Sequence, residues 1–293
     1  MRIRATVAAV SGALALSAFV VPAAQAADAG SSSFRADAAQ AVSHTASGKT
    51  AFSSVFGAAD LDVSFSNLKI AKAVKVGTTN HVSTSVTYTL THGADVDIKS
   101  SDFASGPFIY KGSPSDMGNT LFGDNPATCT ATSATTAACK GLIDIYPGGS
   151  EPELVNSDAG TWHAGALALV YSTKASAAQF GLATTLVQRN STLTVNAAPE
   201  PVKKGATVTV TGKLARANWE DHKYHGYTGQ PVQLQFRKKG SSTYTTLKTV
   251  TTDSTGNLRT TTKATVDGYY RYSFAGTSTT PAVNATGDFV DVQ

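Results

Sequence analysis

The clearest signal in this chain is strict alternation of apolar and polar positions. Val82, Thr84, Val86, Tyr88 and Leu90 fall on one face, the period of two that a sheet with one wet side requires. Thr207 to Leu214 alternates as cleanly, and Val232, Leu234 and Phe236 mark another strand. Shorter pieces lie around these. Val63, Phe65 and Ile70 predict one strand and Val74 with Val76 the next, while Val96 and Ile98, then Phe108 to Tyr110, continue the series. Leu142, Ile143 and Ile145 come later, before two longer apolar-rich strands at Gly160 to Ser172 and Ala177 to Val187. The alanines of the last segment would suit a helix, but Thr184, Thr185 and Val187 favour pleated backbone. Gly112 to Pro126 and Tyr146 to Gly160 are rich in Gly, Pro, Ser, Asp and Asn and read as loops.

A second series starts after Asn190. Ser191 to Val195 opens it, Tyr244, Leu247 and Val250 lie along a middle strand, and Asp253 to Asn257 is a hairpin turn. Leu258 to Val266 returns, Asp267-Gly268 turns, Tyr269 to Phe274 crosses again and Phe289 to Val292 closes the sheet. Strands at this spacing, roughly one per ten residues, suit an immunoglobulin-like sandwich. The expected fold is therefore all-β, with two immunoglobulin-like β-sandwich domains in tandem over residues 60–189 and 190–293.

What precedes them is of another kind. Arg2 and Arg4 start a basic segment, Val7 to Val21 is apolar, and Ala24-Gln25-Ala26 supplies a small-x-small cleavage pattern. Residues 1–26 thus read as a signal peptide, too short an apolar run to be a bilayer anchor. The arginines are not adjacent and no cysteine stands at the cleavage point, so the general secretory route without lipidation is expected. Residues 27–59, poor in periodic apolar positions, read as a flexible lead-in. The expected product is extracellular, with no integral membrane segment after processing.

Composition changes this picture little, but charge divides it. Charged residues make up only 15% of the chain. Residues 27–189 carry 10 Lys/Arg against 13 Asp/Glu, whereas residues 190–293 carry 12 against 7. The basic half could be drawn toward an anionic wall polymer, or be an ordinary solvated face. The density of basic residues falls short of a nucleic-acid stripe. Cys129 and Cys139 are the two cysteines, and in an exported chain they are expected to pair across a hairpin turning near Ser133 and Ala134.

Four segments of the last third carry a family likeness. Val202-Lys203-Lys204-Gly205, Val208-Thr209-Val210-Thr211-Gly212, Gly229-Gln230-Pro231-Val232 and Asp267-Gly268-Tyr269-Tyr270-Arg271 resemble bacterial immunoglobulin-like domains of secreted actinobacterial proteins. The resemblance covers residues 190–293 and implies a sandwich fold. Some similar proteins are loosely described as calcium-binding, but the resemblance brings no ligand motif with it.

Candidate chemistry concentrates between Trp219 and Tyr227. Trp219, Tyr224 and Tyr227 are the candidate binding residues, as rings that stack on sugars or aromatic partners. His222 and His225, with a neighbouring carboxylate, are the candidate transition-metal ligands. They stand three apart in a loop, unlike the two His four apart on a helix of a metalloprotease. Calcium has candidate oxygen donors at Asp95, Asp97 and Asp102, or at Asp124, Glu151, Glu153 and Asp158. No Gly-x-Ser-x-Gly elbow or phosphate-binding glycine loop is present, so no catalytic residue is named. The sequence favours a secreted, non-enzymatic binding or structural protein of the extracellular surface or cell wall. Its expected partner is a wall polymer, a glycan or another extracellular protein. A calcium-binding structural protein and a secreted hydrolase without a readable motif stand as alternatives.

Overall fold

A computed structural model describes residues 29–46, 61–148 and 154–293. The leader expected over residues 1–26 lies outside them, as do Glu151 and Glu153. Among the described residues no helix is long and apolar enough to cross a membrane.

The first sandwich uses β1 (Val63–Lys69), β2 (Ala73–Val76), β3 (Val82–His92), β4 (Phe103–Ser113), β5 (Asp116–Phe122), β6 (Thr128–Ala131), β7 (Thr136–Ile145), β8 (Gly160–Val170) and β9 (Ser176–Arg189). One sheet has the order β1-β3-β7-β6 and the other β2-β9-β8-β4-β5, with β2 parallel to β9 at the edge. The alternation of β3 buries Val86, Tyr88 and Leu90 against Ile143 and Ile145, and these meet Ile109, Trp162, Ala164 and Ala166 of the second sheet. Here β1, β3, β7 and β6 stand in the order A-B-E-D of an immunoglobulin domain, and β9, β8 and β4 in the order G-F-C.

Three expectations for the first sandwich and its lead-in need correction. Residues 29–46 of the lead-in form the helix α1 (Ala29–Ala46), which lays Phe34, Ala38, Ala41 and Val42 on the outer face of the second sheet. Their spacing is one helical face, but alanine and serine dilute it. The segment Gly112 to Pro126 is not all loop, because β5 pairs back on β4 there; as an edge strand it buries little beyond Leu121 and Phe122. Val96 and Ile98 lie in turns between β3 and β4 rather than in a strand, with Val96 buried as an anchor.

The second sandwich uses β10 (Ser191–Leu193), β11 (Asn196–Ala198), β12 (Thr207–Asn218), β13 (Lys223–Gly226), β14 (Pro231–Lys238), β15 (Thr245–Thr251), β16 (Asn257–Lys263), β17 (Gly268–Phe274), β18 (Val283–Asn284) and β19 (Asp288–Val290). In one sheet β10, β11, β13 and β16 all pair with β12; the other has the order β15-β14-β17-β18, with β19 also on β17. A parallel bridge joins Val202 to Val292. Val208, Val210, Leu214, Val232, Leu234, Tyr272 and Phe274 fill the core. The stretch after β12, expected as a loop, contains β13.

Cys129 and Cys139 stand opposite each other on β6 and β7 and form a disulfide, closing a sequence separation of 10. The bond fastens the short edge strand β6 to the sheet. Replacing both cysteines with serine is expected to cost about 2–3 kcal/mol through the freed denatured chain. A urea titration reads this as a lower midpoint; an unchanged midpoint would show β6 to be held by its ladder alone.

Candidate functional site

The sequence pointed to the Trp219–Tyr227 stretch, and the structure makes most of it a joint between the sandwiches. Strand β12 ends by carrying Trp219 into the first domain, where its side chain is 0% exposed and packs in that domain's core. The indole Nε1 donates to the Gly77 carbonyl at 2.9 Å. Trp219 is therefore no sugar platform, because the apolar ring is taken up by the neighbouring domain. His222 turns the chain into β13 with a φ of 58° and sets its Nδ1 3.2 Å from the Thr78 carbonyl. His225 pairs instead with Asp221 at 2.6 Å. The two histidines are thus not drawn to one point. Tyr227 lies under the Arg216 guanidinium at 3.9 Å and packs edge-on against Phe274. Tyr224 is the exposed ring of the three, its hydroxyl accepting from Asn190 Nδ2 at 3.2 Å.

More bonds cross the joint. Asn156 donates to the Asn218 side chain at 2.7 Å and accepts from the Trp219 N–H at 3.1 Å. At the domain junction, Arg189 Nε donates to the Ala217 carbonyl at 2.6 Å, and the Gln188 amide donates to the Thr277 carbonyl at 2.8 Å. Burial, then the nearby Arg216 charge, bring the Arg189 guanidinium down to about 10.

A second constellation joins α1 to the first sandwich, and no sequence spacing announced it. Arg35 Nε meets Asp124 Oδ1 at 2.7 Å, and Nη2 donates to the carbonyls of Phe122 and Asp144 at 3.1 and 2.6 Å. The Tyr146 hydroxyl donates to the other Asp124 oxygen, and its ring stacks on His81 with centroids 4.3 Å apart. Buried Asp144 accepts from Ser83 Oγ and from the Asp124 N–H, and lies 3.0 Å from His81 Nε2.

His81, Asp124 and Asp144 hold their ligand atoms within 4.8 Å of one another, the group of metal-donor type among the described residues. Arg35 already supplies positive charge there, and Asp124 is engaged at both oxygens. Nor is Ser83-His81-Asp144 a nucleophile relay. Such a relay divides the two ring nitrogens between acid and hydroxyl. Here the same Nε2 faces both Asp144 and, at 3.2 Å, Ser83, whose own proton goes to Asp144. The arrangement fastens α1.

Several of the calcium candidates among the described residues are engaged as acceptors. Asp97 accepts from the Lys99 N–H, Asp102 from Ser172, and Asp158 from the Val155 N–H and the Asn119 amide.

The Tyr146 hydroxyl is pushed up to about 12, first by its bond to Asp124, then by burial and the charges of Asp124 and Asp144, against the opposing Arg35. A folded-state value above the unfolded 10.0 contributes stability that is full below that pH and lost as pH rises toward 12. Tyr146→Phe is expected to flatten the alkaline fall in urea midpoint between about pH 10 and about 12. Parallel curves for the two proteins would refute the coupling.

The third constellation lies on the outer face of β14, β15 and β17. Register places Gln235 opposite Arg271 and Arg237 opposite Tyr269. The Arg271 guanidinium sits 3.8 Å over the Tyr244 ring, and Arg237 lies 4.2 Å over Tyr269 and 5.3 Å from Tyr244. Tyr244 lies so flat across the sheet that a Cβ at Gly287 would stand 2.2 Å from its hydroxyl oxygen. Gln235 accepts from Arg271 Nε at 2.9 Å and donates onward to Gln233 and Thr246. Arg237 Nη1 donates to the Ser241 carbonyl at 2.6 Å. Among the described residues neither arginine has a carboxylate partner, whereas nearby Lys239 pairs with Asp267 at 3.3 Å. The face therefore presents two fixed guanidinium groups with uncompensated charge.

No family model matches the chain, and no curated protein matches it. Among solved structures, a marsupial T cell receptor is 14% identical over 77% of this chain and 72% of its own, with a TM-score of 0.36. Latent PorU from Porphyromonas gingivalis is 11% identical over 79% of this chain and 20% of its own, with a TM-score of 0.27. Fibronectin(III)-like modules of Clostridium thermocellum CbhA are 13% identical over 78% of this chain and 92% of theirs, with a TM-score of 0.25. The strand order itself defines the class: an all-β protein of tandem immunoglobulin-like sandwiches.

Proposed function

We propose that this is a secreted, non-enzymatic protein that attaches to an extracellular surface or cell wall. The Arg237–Tyr244–Arg271 face of the second sandwich makes the contact, and the first sandwich acts as a rigid extension. The observation that carries the reading is the pair of guanidinium groups stacked on tyrosines without a carboxylate partner. Desolvating a charge costs free energy unless an opposite charge meets it, so a prearranged, unpaired cationic face is suited to an anionic partner. The disulfide fits an oxidising compartment, in keeping with the leader read from the sequence. The test is retention of the processed protein on isolated cell-envelope fractions. Wild type should be retained and Arg237→Ala/Arg271→Ala should wash through. Equal retention of both proteins would place the contact elsewhere.

A further inference from the structure

We infer that this face takes a phosphodiester-linked polyol polymer, in preference to a sugar polymer, neutral or carboxylated. The inference rests on the surface-binding reading above and names its ligand class. The first argument is what the tyrosines are already doing. Glycans and nucleobases are held on aromatic faces, yet Tyr244 and Tyr269 are both half-buried and each lies against a guanidinium. The rings act as stiffeners for the arginines, and what the face offers outward is charge. A polyol phosphate carries no ring that needs a platform.

The second argument is what the arginines have left to offer. Stacking and the bond to Gln235 fix the plane of Arg271, and its Nη groups make no hydrogen bond among the described residues. Arg237 is fixed through Nη1 on the Ser241 carbonyl. Two planar forks held in place match the non-bridging oxygens of a phosphate, where each accepts paired N–H bonds. Arg237 and Arg271 sit on adjacent strands two residues apart in register, a stride of about 7 Å along the sheet. They lie on an open sheet rather than in a closed pocket. That suits a linear chain with successive single charges better than one small enclosed anion. The domain's excess of basic residues adds attraction that salt weakens.

The test uses the processed protein on a biosensor against four probes: poly(glycerol phosphate), polygalacturonate, dextran and inorganic phosphate. Poly(glycerol phosphate) should bind, more weakly as salt rises, with at most traces of the other three. Arg271→Ala and Arg237→Ala should each weaken it about tenfold. Arg271→Lys keeps the charge but not the fork and should weaken it measurably, which guards against a folding defect in the alanine variant. Lys248→Ala is the control, because that side chain turns away to the Thr261 carbonyl on the other sheet; it removes one charge and should change little. Equal binding of polygalacturonate, or equal loss in Lys248→Ala and Arg271→Ala, would overturn the inference. Envelope retention without binding to the purified phosphate polymer would overturn it while leaving surface attachment intact. Failure of both would sink the two readings together.

Discussion

Trp219→Ala is expected to uncouple the two sandwiches and to cost about 3–5 kcal/mol, the range for truncating a large buried aromatic. The side chain is 0% exposed and sits within the first domain's core although the second domain supplies it. Its removal would leave a cavity at the joint and take the indole donor from the Gly77 carbonyl. The surrounding bonds of Asn156 and Gln188 are individually worth about 1 kcal/mol and the charged Arg189 bond about 1.5–3 kcal/mol, and they would not replace the buried indole. Urea unfolding should change from one concerted transition to two, and small-angle scattering should show a broader distribution of dimensions. Trp219→Phe keeps most of the volume but lacks the N–H, so its loss should be much smaller. A Trp219→Ala protein with an unchanged midpoint and unchanged scattering would show that the other bonds suffice.

Phe34→Ala should release α1 from the first sandwich while leaving the strands folded. Phe34 is 1% exposed and is the one large apolar side chain that the described part of the helix places on the sheet. It seats over Gly106, where a Cβ would come within 2.6 Å of its ring. Its truncation costs about 3–5 kcal/mol. What remains includes Ala38, Ala41 and Val42, the Arg35 bonds to Asp124 and to the carbonyls of Phe122 and Asp144, and the exposed Asp37–Lys174 pair. Each of these part-exposed polar contacts is worth about 1 kcal/mol after solvent screening, so the lost ring is the largest single contribution. Hydrogen exchange should accelerate across residues 34–46 and leave β3 and β7 protected. Exposure of Phe108, Tyr110, Phe122 and Leu169 should also raise dye binding. Unchanged protection of α1 would show the Arg35 cluster to be the main fastening.

The strands that were legible in the sequence are those with one wet face. β3, β12, β14 and β17 announce themselves because burial alternates along them. β4 does not alternate, since α1 covers its second face and nearly every position is buried. The helix itself was hidden because one Phe and one Val among alanines and serines make a weak periodic signal. At the candidate sites the difficulty was register. Trp219, Tyr224 and Tyr227 are close in sequence but are parted by the turn into β13, which sends the indole one way and Tyr224 another. Arg237, Tyr244 and Arg271 are far apart in sequence and meet only through strand pairing. Taken alone, Arg237 and Arg271 look like ordinary solvated positions of two amphipathic strands. Asp124, Asp144 and Arg35 were unreadable as a group for the same reason.

In the first sandwich α1 lies across the outer face of the sheet that contains β4 and β8, while in the second the outer face of the sheet that contains β14 and β17 carries the stacked arginines. On the proposed reading, each copy offers one such contact face among the described residues. On that reading, a single copy would gain no avidity from having two similar halves, and retention on a repetitive surface would follow ligand density and copy number.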